Sequence, residues 1–271
     1  MFIDSHCHLH DRQFFAPDEA EKILQKAREN GVKKIICIGT DPEDSLAARD
    51  FAAAHKNVYW TFGIHPEECE KWPDEKFKII FSEEYKRSAA GESRSDSPRV
   101  TLEEKMILNF SLPPIAIGEI GLDYHSEGYN RQSQIALFNE MLQLATDLNL
   151  PVSFHVRNAF DDFFPIVQNF PKIRGVVHSF TDSKKTLKKL LETTDFYIGV
   201  NGLATYSTLP TPPLDRTLLE TDAPFLSPIR GGKNDPSNIP LIAQHFVTPE
   251  ISLSDVAKIT SENAQKLFHM L

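Results

Sequence analysis

The chain has 271 residues, 41% of them hydrophobic and 25% charged, which is enough to bury one large core and excludes a disordered chain. Its 38 acidic and 29 basic residues leave a net charge of −9, which excludes the broad basic footprint of a passive nucleic-acid-binding module. Any phosphate-bearing substrate then needs a local cationic patch or bound metal ions, and three widely spaced cysteines, Cys7, Cys37 and Cys69, read as free thiols in a reducing compartment.

The first apolar run, 2–4, leads directly into His6-Cys7-His8. Side chains alternate along a strand, so His6 and His8 share a face while Cys7 points away and packs as a small apolar residue. Two neutral imidazoles converging on one point suit Zn, Mn, Fe or Ni. Residues 18–30 place Ala20, Ile23, Leu24 and Ala27 at helical spacing and stop at Asn30-Gly31. Strand-like runs follow at 34–38 and 58–62. The polar stretch 82–104, centred on Gly91-Glu92-Ser93-Arg94-Ser95-Asp96-Ser97-Pro98, reads as a surface insertion. A run at 115–117 precedes Gly118-Glu119, and a helix over 131–148 carries Ile135, Phe138, Leu142 and Ala145 on one stripe. Runs at 152–154 and 175–177 end in His155 and His178. A helix over 183–192 has Leu187, Leu190 and Leu191 among lysines. After a run at 196–200, the proline-rich 206–216 stretch leaves little room for a helix. The last run, 217–219, ends in Glu220-Thr221-Asp222, and 254–271 forms a final helix with Val256, Ile259, Ala264, Leu267 and Phe268 inward.

Near-continuous apolar runs mark strands covered on both faces, and eight of them alternating with helices indicate an α/β fold. The expectation is a single-domain (βα)8 TIM-type barrel over 1–271, somewhat distorted, with a polar insertion near 82–104 and a shortened connection near 202–216. No apolar run of about 18 residues occurs, so no membrane span is expected. The N-terminus lacks the basic-then-apolar pattern of a secretory signal, which points to a cytoplasmic protein.

In such a barrel the carboxyl ends of all strands open on one face, where catalytic residues sit. His6, His8, Glu119, His155, His178 and Asp222 each follow a different apolar run or share the first, so they meet there. Six ligands are too many for one tetrahedral site and suit two divalent metal ions sharing a bridging carboxylate. Glu119 is the natural bridge. His6, His8 and Asp222 come from the first and last strands and complete one site, while His155 and His178 complete the other. Asp222 is also the candidate acceptor of the proton from an attacking water. Histidine-plus-carboxylate ligands accept Zn and Mn, whereas Mg more often takes all-oxygen shells.

At these residues the chain resembles the TatD family of metal-dependent deoxyribonucleases within the amidohydrolase-like barrels. The matching segments are 2–9 (FIDSHCHL), 63–66 (GIHP), 117–124 (IGEIGLDY), 155–157 (HVR), 178–180 (HSF), 219–226 (LETDAPFL) and 230–236 (RGGKNDP), followed by Glu262-Asn263-Ala264 and Leu267-Phe268. The resemblance implies an eight-stranded barrel, two divalent metals (Zn, Mn or Mg) and phosphodiester hydrolysis, typically 3′→5′ exonuclease action on single-stranded DNA. It places the family's ligands on the same six residues. The chain departs from the family pattern at Glu67, where members often carry His, in the 82–104 insertion, and in the shortened stretch after Asn201.

Four further residues are candidate substrate contacts. His65 and Arg157 follow strands and face the pocket, and Arg matches phosphate geometry bidentately. Arg230 and Asn234, with Lys233, form a compact basic cluster in the loop after the last strand. Tyr124 and His125 are placed near the pocket, and His10, His55, His245 and His269 receive no role. The rival readings are the same centre acting on another ester or amide, such as a D-aminoacyl-tRNA or a small molecule, and a metal-bound protein that only binds. Protein partners are unknown from the sequence.

Overall fold

The computed structural model describes residues 1–72 and 112–270, so the 82–104 insertion lies outside the described residues. Eight strands form one parallel sheet in sequential order: β1 (Phe2–Cys7), β2 (Val32–Cys37), β3 (Val58–Phe62), β4 (Ala116–Asp123), β5 (Val152–Arg157), β6 (Gly175–Val177), β7 (Tyr197–Val200) and β8 (Thr217–Leu219). All eight apolar runs are therefore strands of a nearly closed barrel. Helices α1 (Pro17–Glu29), α2 (Pro42–Ala54), α3 (Arg131–Asp147), α4 (Phe160–Gln168), α5 (Lys184–Thr193), α6 (Ile239–Ala243) and α7 (Leu253–Phe268) accompany them. Among the described residues no helix is long and apolar enough to cross a membrane.

The predicted helix stripes hold with small rotations. In α1, Ala20, Ile23, Leu24 and Ala27 are all buried. In α3 the core face takes Leu137, Phe138, Met141, Leu142 and Ala145, and Ile135 is only partly buried. Three helices escape the sequence pattern, the five-residue α6 among them. Alanine-rich α2 has little contrast between its faces, and its start is fixed by the Asp41 side chain accepting from the Asp44 amide at 2.8 Å. In α4 an internal Pro165 masks the helical spacing of Phe160, Phe163, Phe164 and Val167. Between β7 and β8 the chain makes only two short 3₁₀ turns, Gly202–Thr205 and Leu214–Arg216, as the shortened connection required.

Three strands run past their apolar runs because the polar residues of the site are strand residues. Glu119 lies inside β4, not after it, and His6 and His155 lie inside β1 and β5. Close contact of β4 with β5 makes this possible. At Gly121, with φ of 151°, an added Cβ would fall 1.9 Å from the His155 carbonyl oxygen, so only glycine fits.

The barrel closes without a full ladder between β8 and β1. Cys7 bridges Ala223, the His8 amide donates to the Ala223 carbonyl and the Asp222 amide to the His6 carbonyl, each at 2.8 Å. Beneath them the fully buried Asp4 carboxylate accepts from the Thr221 amide at 2.9 Å and the Thr221 hydroxyl at 2.6 Å. Burial pushes the Asp4 carboxyl up to about 7, against the lowering effect of these hydrogen bonds. Thr221→Val keeps the shape and removes the hydroxyl. At pH 8, where Asp4 is charged, we expect a loss of about 1.5–3 kcal/mol in urea unfolding, shrinking to about 0.5–1.5 kcal/mol at pH 5.5 where Asp4 is neutral. Equal losses at both pH values would contradict a charged seam.

Candidate metal centre

Each candidate ligand reaches the centre because its backbone is fixed elsewhere. The His8 ring donates through Nδ1 to the Ile38 carbonyl at 3.1 Å, which leaves Nε2 as the free lone pair. His155 points Nε2 at Asp123 Oδ2, 2.9 Å away, and Nδ1 inward. Asp123 is itself held at the end of β4 by Gln134, whose side chain accepts from its amide and donates to its carbonyl, both at 2.8 Å. His6 and His178 stack face to face with centroids 4.0 Å apart, and behind His178 stands Glu220, 3.7 Å from its Nδ1.

Glu119 is the hub. One of its oxygens, Oε1, is 2.7 Å from both His155 Nδ1 and His178 Nε2 and 3.7 Å from His65 Nε2, while Oε2 is 3.4 Å from His6 Nε2. Asp222 Oδ1 is 3.6 Å from His6 Nε2 and 3.5 Å from His8 Nε2. The structure thus brings His6, His8, Glu119, His155, His178 and Asp222 together, and adds His65 against Glu119.

The electrostatics are those of a nest awaiting positive charge. Burial opposes ionisation of Glu119, yet His178 and His155 hold its carboxyl well below the usual range. Burial also disfavours a charged His178, but Glu119 outweighs it and raises the ring to about 10. His6 goes the other way: burial, with the charge of His178 beside it, lowers it to about 4. The neutral His6 ring keeps Nε2 buried with no hydrogen-bond partner, aimed at the two carboxylates. Leaving such a nitrogen unpaired costs about 1–3 kcal/mol. An unpaired, neutral imidazole nitrogen between carboxylates is the donor a divalent cation takes, and the set His6, His8, Asp222 and the set His65, Glu119, His155 each bring three ligand atoms together. The residues fit a metal.

The centre forms the floor of a cavity of about 980 Å³. Arg157 lines it, is exposed, and has no carboxylate partner among the described residues, because Arg131 and the Tyr124 hydroxyl occupy Asp162. Two of the expected substrate contacts do not reach the cavity. Asn234 is fully buried, its amide donating to the Thr221 and Phe225 carbonyls at 2.7 Å, so it is a loop anchor. Arg230 is exposed and packs its guanidinium over Tyr206, 4.9 Å from the ring centroid, away from the cavity lining. Tyr124 and His125 are likewise outside the lining; Tyr124 stacks on Tyr129 with centroids 4.6 Å apart.

Sequence reasoning missed Asp123, Glu220 and Asp44. Asp123 orients His155, and its position four residues after Glu119 on the same strand was the available signal. Glu220 is buried and pushed up to about 8 by burial, with the Ser179 amide donating to it. Asp44 holds the His10 ring at 2.9 Å in the wall beside His8.

Comparison with known proteins agrees with this geometry. The family profile described as TatD related DNase matches residues 3–269. The uncharacterized metal-dependent hydrolase YabD of Bacillus subtilis is 28% identical across all of both chains. The 3′-5′ ssDNA/RNA exonuclease TatD of Erwinia tasmaniensis is 31% identical over 94% of this chain and 95% of its own. The crystal structure of YJJV, a TatD homologue from Escherichia coli K12, superposes with a TM-score of 0.78 at 27% identity, covering all of this chain and 98% of that one.

Removing the carboxylate that aims His155 tests the arrangement. Asp123→Asn keeps the hydrogen-bond geometry but weakens the orientation and basicity of the ring, so metal affinity should fall about 10–100-fold in calorimetric titration of the chelator-treated protein. An unchanged affinity would remove His155 from the ligand set.

Proposed function

We propose, on the premise that this chain belongs to the TatD-related DNase family, that its metal centre holds two divalent ions and hydrolyses DNA phosphodiesters from the 3′ end of single strands. That the protein is a metal-dependent hydrolase follows from the family and its relatives; the substrate and the metal count are our reading. One observation carries it: six ligand side chains from five strand ends meet around Glu119, with His6 Nε2 buried and unpaired, on the floor of an open cavity.

Divalent cations held there supply the Lewis acidity that lowers the pKa of a water and offsets the charge of a phosphate. The chain's own residues do the rest. Glu119 has imidazoles against both of its oxygens and would hold an ion on either side. Asp222 lines the cavity, and burial notwithstanding, the hydrogen bond from His8 and the charge of His178 keep its carboxyl below the usual range, so it is ionised and able to take a proton from a water. Arg157, exposed at the wall beside His155, offers its guanidinium to a phosphate oxygen pair. His65, lowered to about 4 by burial and by His155, is a neutral ring at the same wall.

A second reading has its own observation. Asp11, Asp41, Asp44, Glu67 and Glu68 line the same cavity and repel a polyanion beyond the reach of the metals. This favours an ester or amide of a small molecule that carries little negative charge.

Protein loaded separately with Zn, Mn and Mg, given single-stranded DNA labelled at the 5′ end, should yield a ladder shortening from the 3′ end, and elemental analysis should return two metals per chain. Asp222→Asn should lower kcat about 10²–10⁴-fold even at metal concentrations high enough to offset the weaker binding that loss of a ligand charge brings. Rapid cleavage of small-molecule esters with intact DNA would replace the nuclease reading by the second one.

A further inference from the structure

We infer that Phe14 and Phe225 form a stacking platform for the 3′-terminal nucleobase at the mouth of the cavity; this rests on the nuclease reading of the centre. The two side chains are 41% and 47% exposed, and they are the only large hydrophobic residues of that exposure among the described residues that line the cavity. Their rings meet edge to face with centroids 5.2 Å apart, and the Phe225 ring lies 6.4 Å from that of His8. Exposing two phenyl rings to water beside a polar, charged centre costs free energy that burial elsewhere would recover, yet the fold holds them there.

It holds them by built contacts. Phe14 sits beside Phe15, which is buried at 1% exposure and fixes the turn, and the Phe15 amide donates to the Asp11 carbonyl at 2.9 Å. Lys233 donates to the Phe14 carbonyl at 2.6 Å, pairs with Glu19 at 2.8 Å and lies over the Phe15 ring. Asn234 donates to the Phe225 carbonyl, and the Phe225 amide donates to the Asp222 carbonyl at 2.8 Å. The basic stretch that the sequence offers as a phosphate contact thus positions two aromatic rings from opposite ends of the chain. A flat, uncharged, polarizable ligand fits this pair. A nucleobase is such a ligand, and stacking accepts any of the four bases, as an exonuclease requires. The acidic side chains of the wall do not oppose it, because a base carries no charge.

A single-stranded oligonucleotide ending in a 3′-terminal 2-aminopurine, joined by a phosphorothioate to slow cleavage, reports stacking directly when mixed with Zn-loaded protein. We expect its fluorescence to be quenched, with no quenching when 2-aminopurine sits at the 5′ end. Phe14→Leu and Phe225→Leu keep apolar bulk and remove the π-face; each should abolish most of the quenching and weaken binding about 5–150-fold, while Phe225→Tyr retains both. Circular dichroism melts should leave the Leu variants near the parent. Equal quenching and affinity in the parent and both Leu variants would overturn the platform. Cleavage of unmodified DNA without quenching would remove the platform and keep the nuclease; quenching without cleavage would do the reverse; no binding of the oligonucleotide would overturn both.

Discussion

A carboxylate with 4% exposure cannot keep its charge unless positive charge or hydrogen-bond donors surround it, and Glu119 is that carboxylate. Three imidazole nitrogens come within 3.4 Å of its oxygens, from β1, β5 and the loop after β6. Satisfying it dictates where those strands must end and why β4 needs glycine at 121, since β5 has to approach closely enough to present His155. Asp123, Gln134, Ile38 and Glu220 then serve to aim the rings. Replacing the carboxylate would leave several buried imidazoles to be repacked at once, so hub and frame belong to one structure.

The eight strands were legible because each is buried on both faces and therefore spells an unbroken apolar run. The six ligands were legible because each polar residue follows such a run, and parallel strands of a barrel can only end on the same face. Their membership of β1, β4 and β5 was hidden, since a polar residue inside a strand looks like the start of a loop when only one chain is in view. Side-chain direction within loops was hidden as well. Asn234 and Arg230 have the chemistry of phosphate contacts, but backbone turns send the first into the protein and the second onto Tyr206. Nothing in residue type distinguishes an amide that binds a ligand from one that ties down a carbonyl. The residues that aim the ligands, such as Asp123, are fixed by cross-strand partners and carry no periodicity.

Centre and cavity mouth answer to different physics. The floor is a matter of charge compensation and tolerates little change, because its buried carboxylates and imidazoles set one another's charge. The mouth combines acidic side chains, the exposed guanidinium of Arg157 and two phenyl rings, so it can discriminate among ligands without disturbing the floor. Glu67, the departure from the family pattern, belongs to the mouth: it accepts from the Ser126 hydroxyl at 2.5 Å and lies 3.9 Å from His65. Its charge alters what may approach His65 and leaves the Glu119 contacts in place.

The seam between the first and last strands has a temporal consequence. Ser5 with Leu219 and Asp4 with Thr221 join residues 214 and 217 positions apart, and His6, His8 and Asp222 meet across the same seam. Contacts of such separation form late, after shorter loops have closed. During synthesis, β1 with its two histidines emerges before the other strands and meets Asp222 only after β8 has been made. A chain that stops short of β8 lacks the Asp222 side of this cluster, so the geometry is complete only when the ring of strands has come full circle.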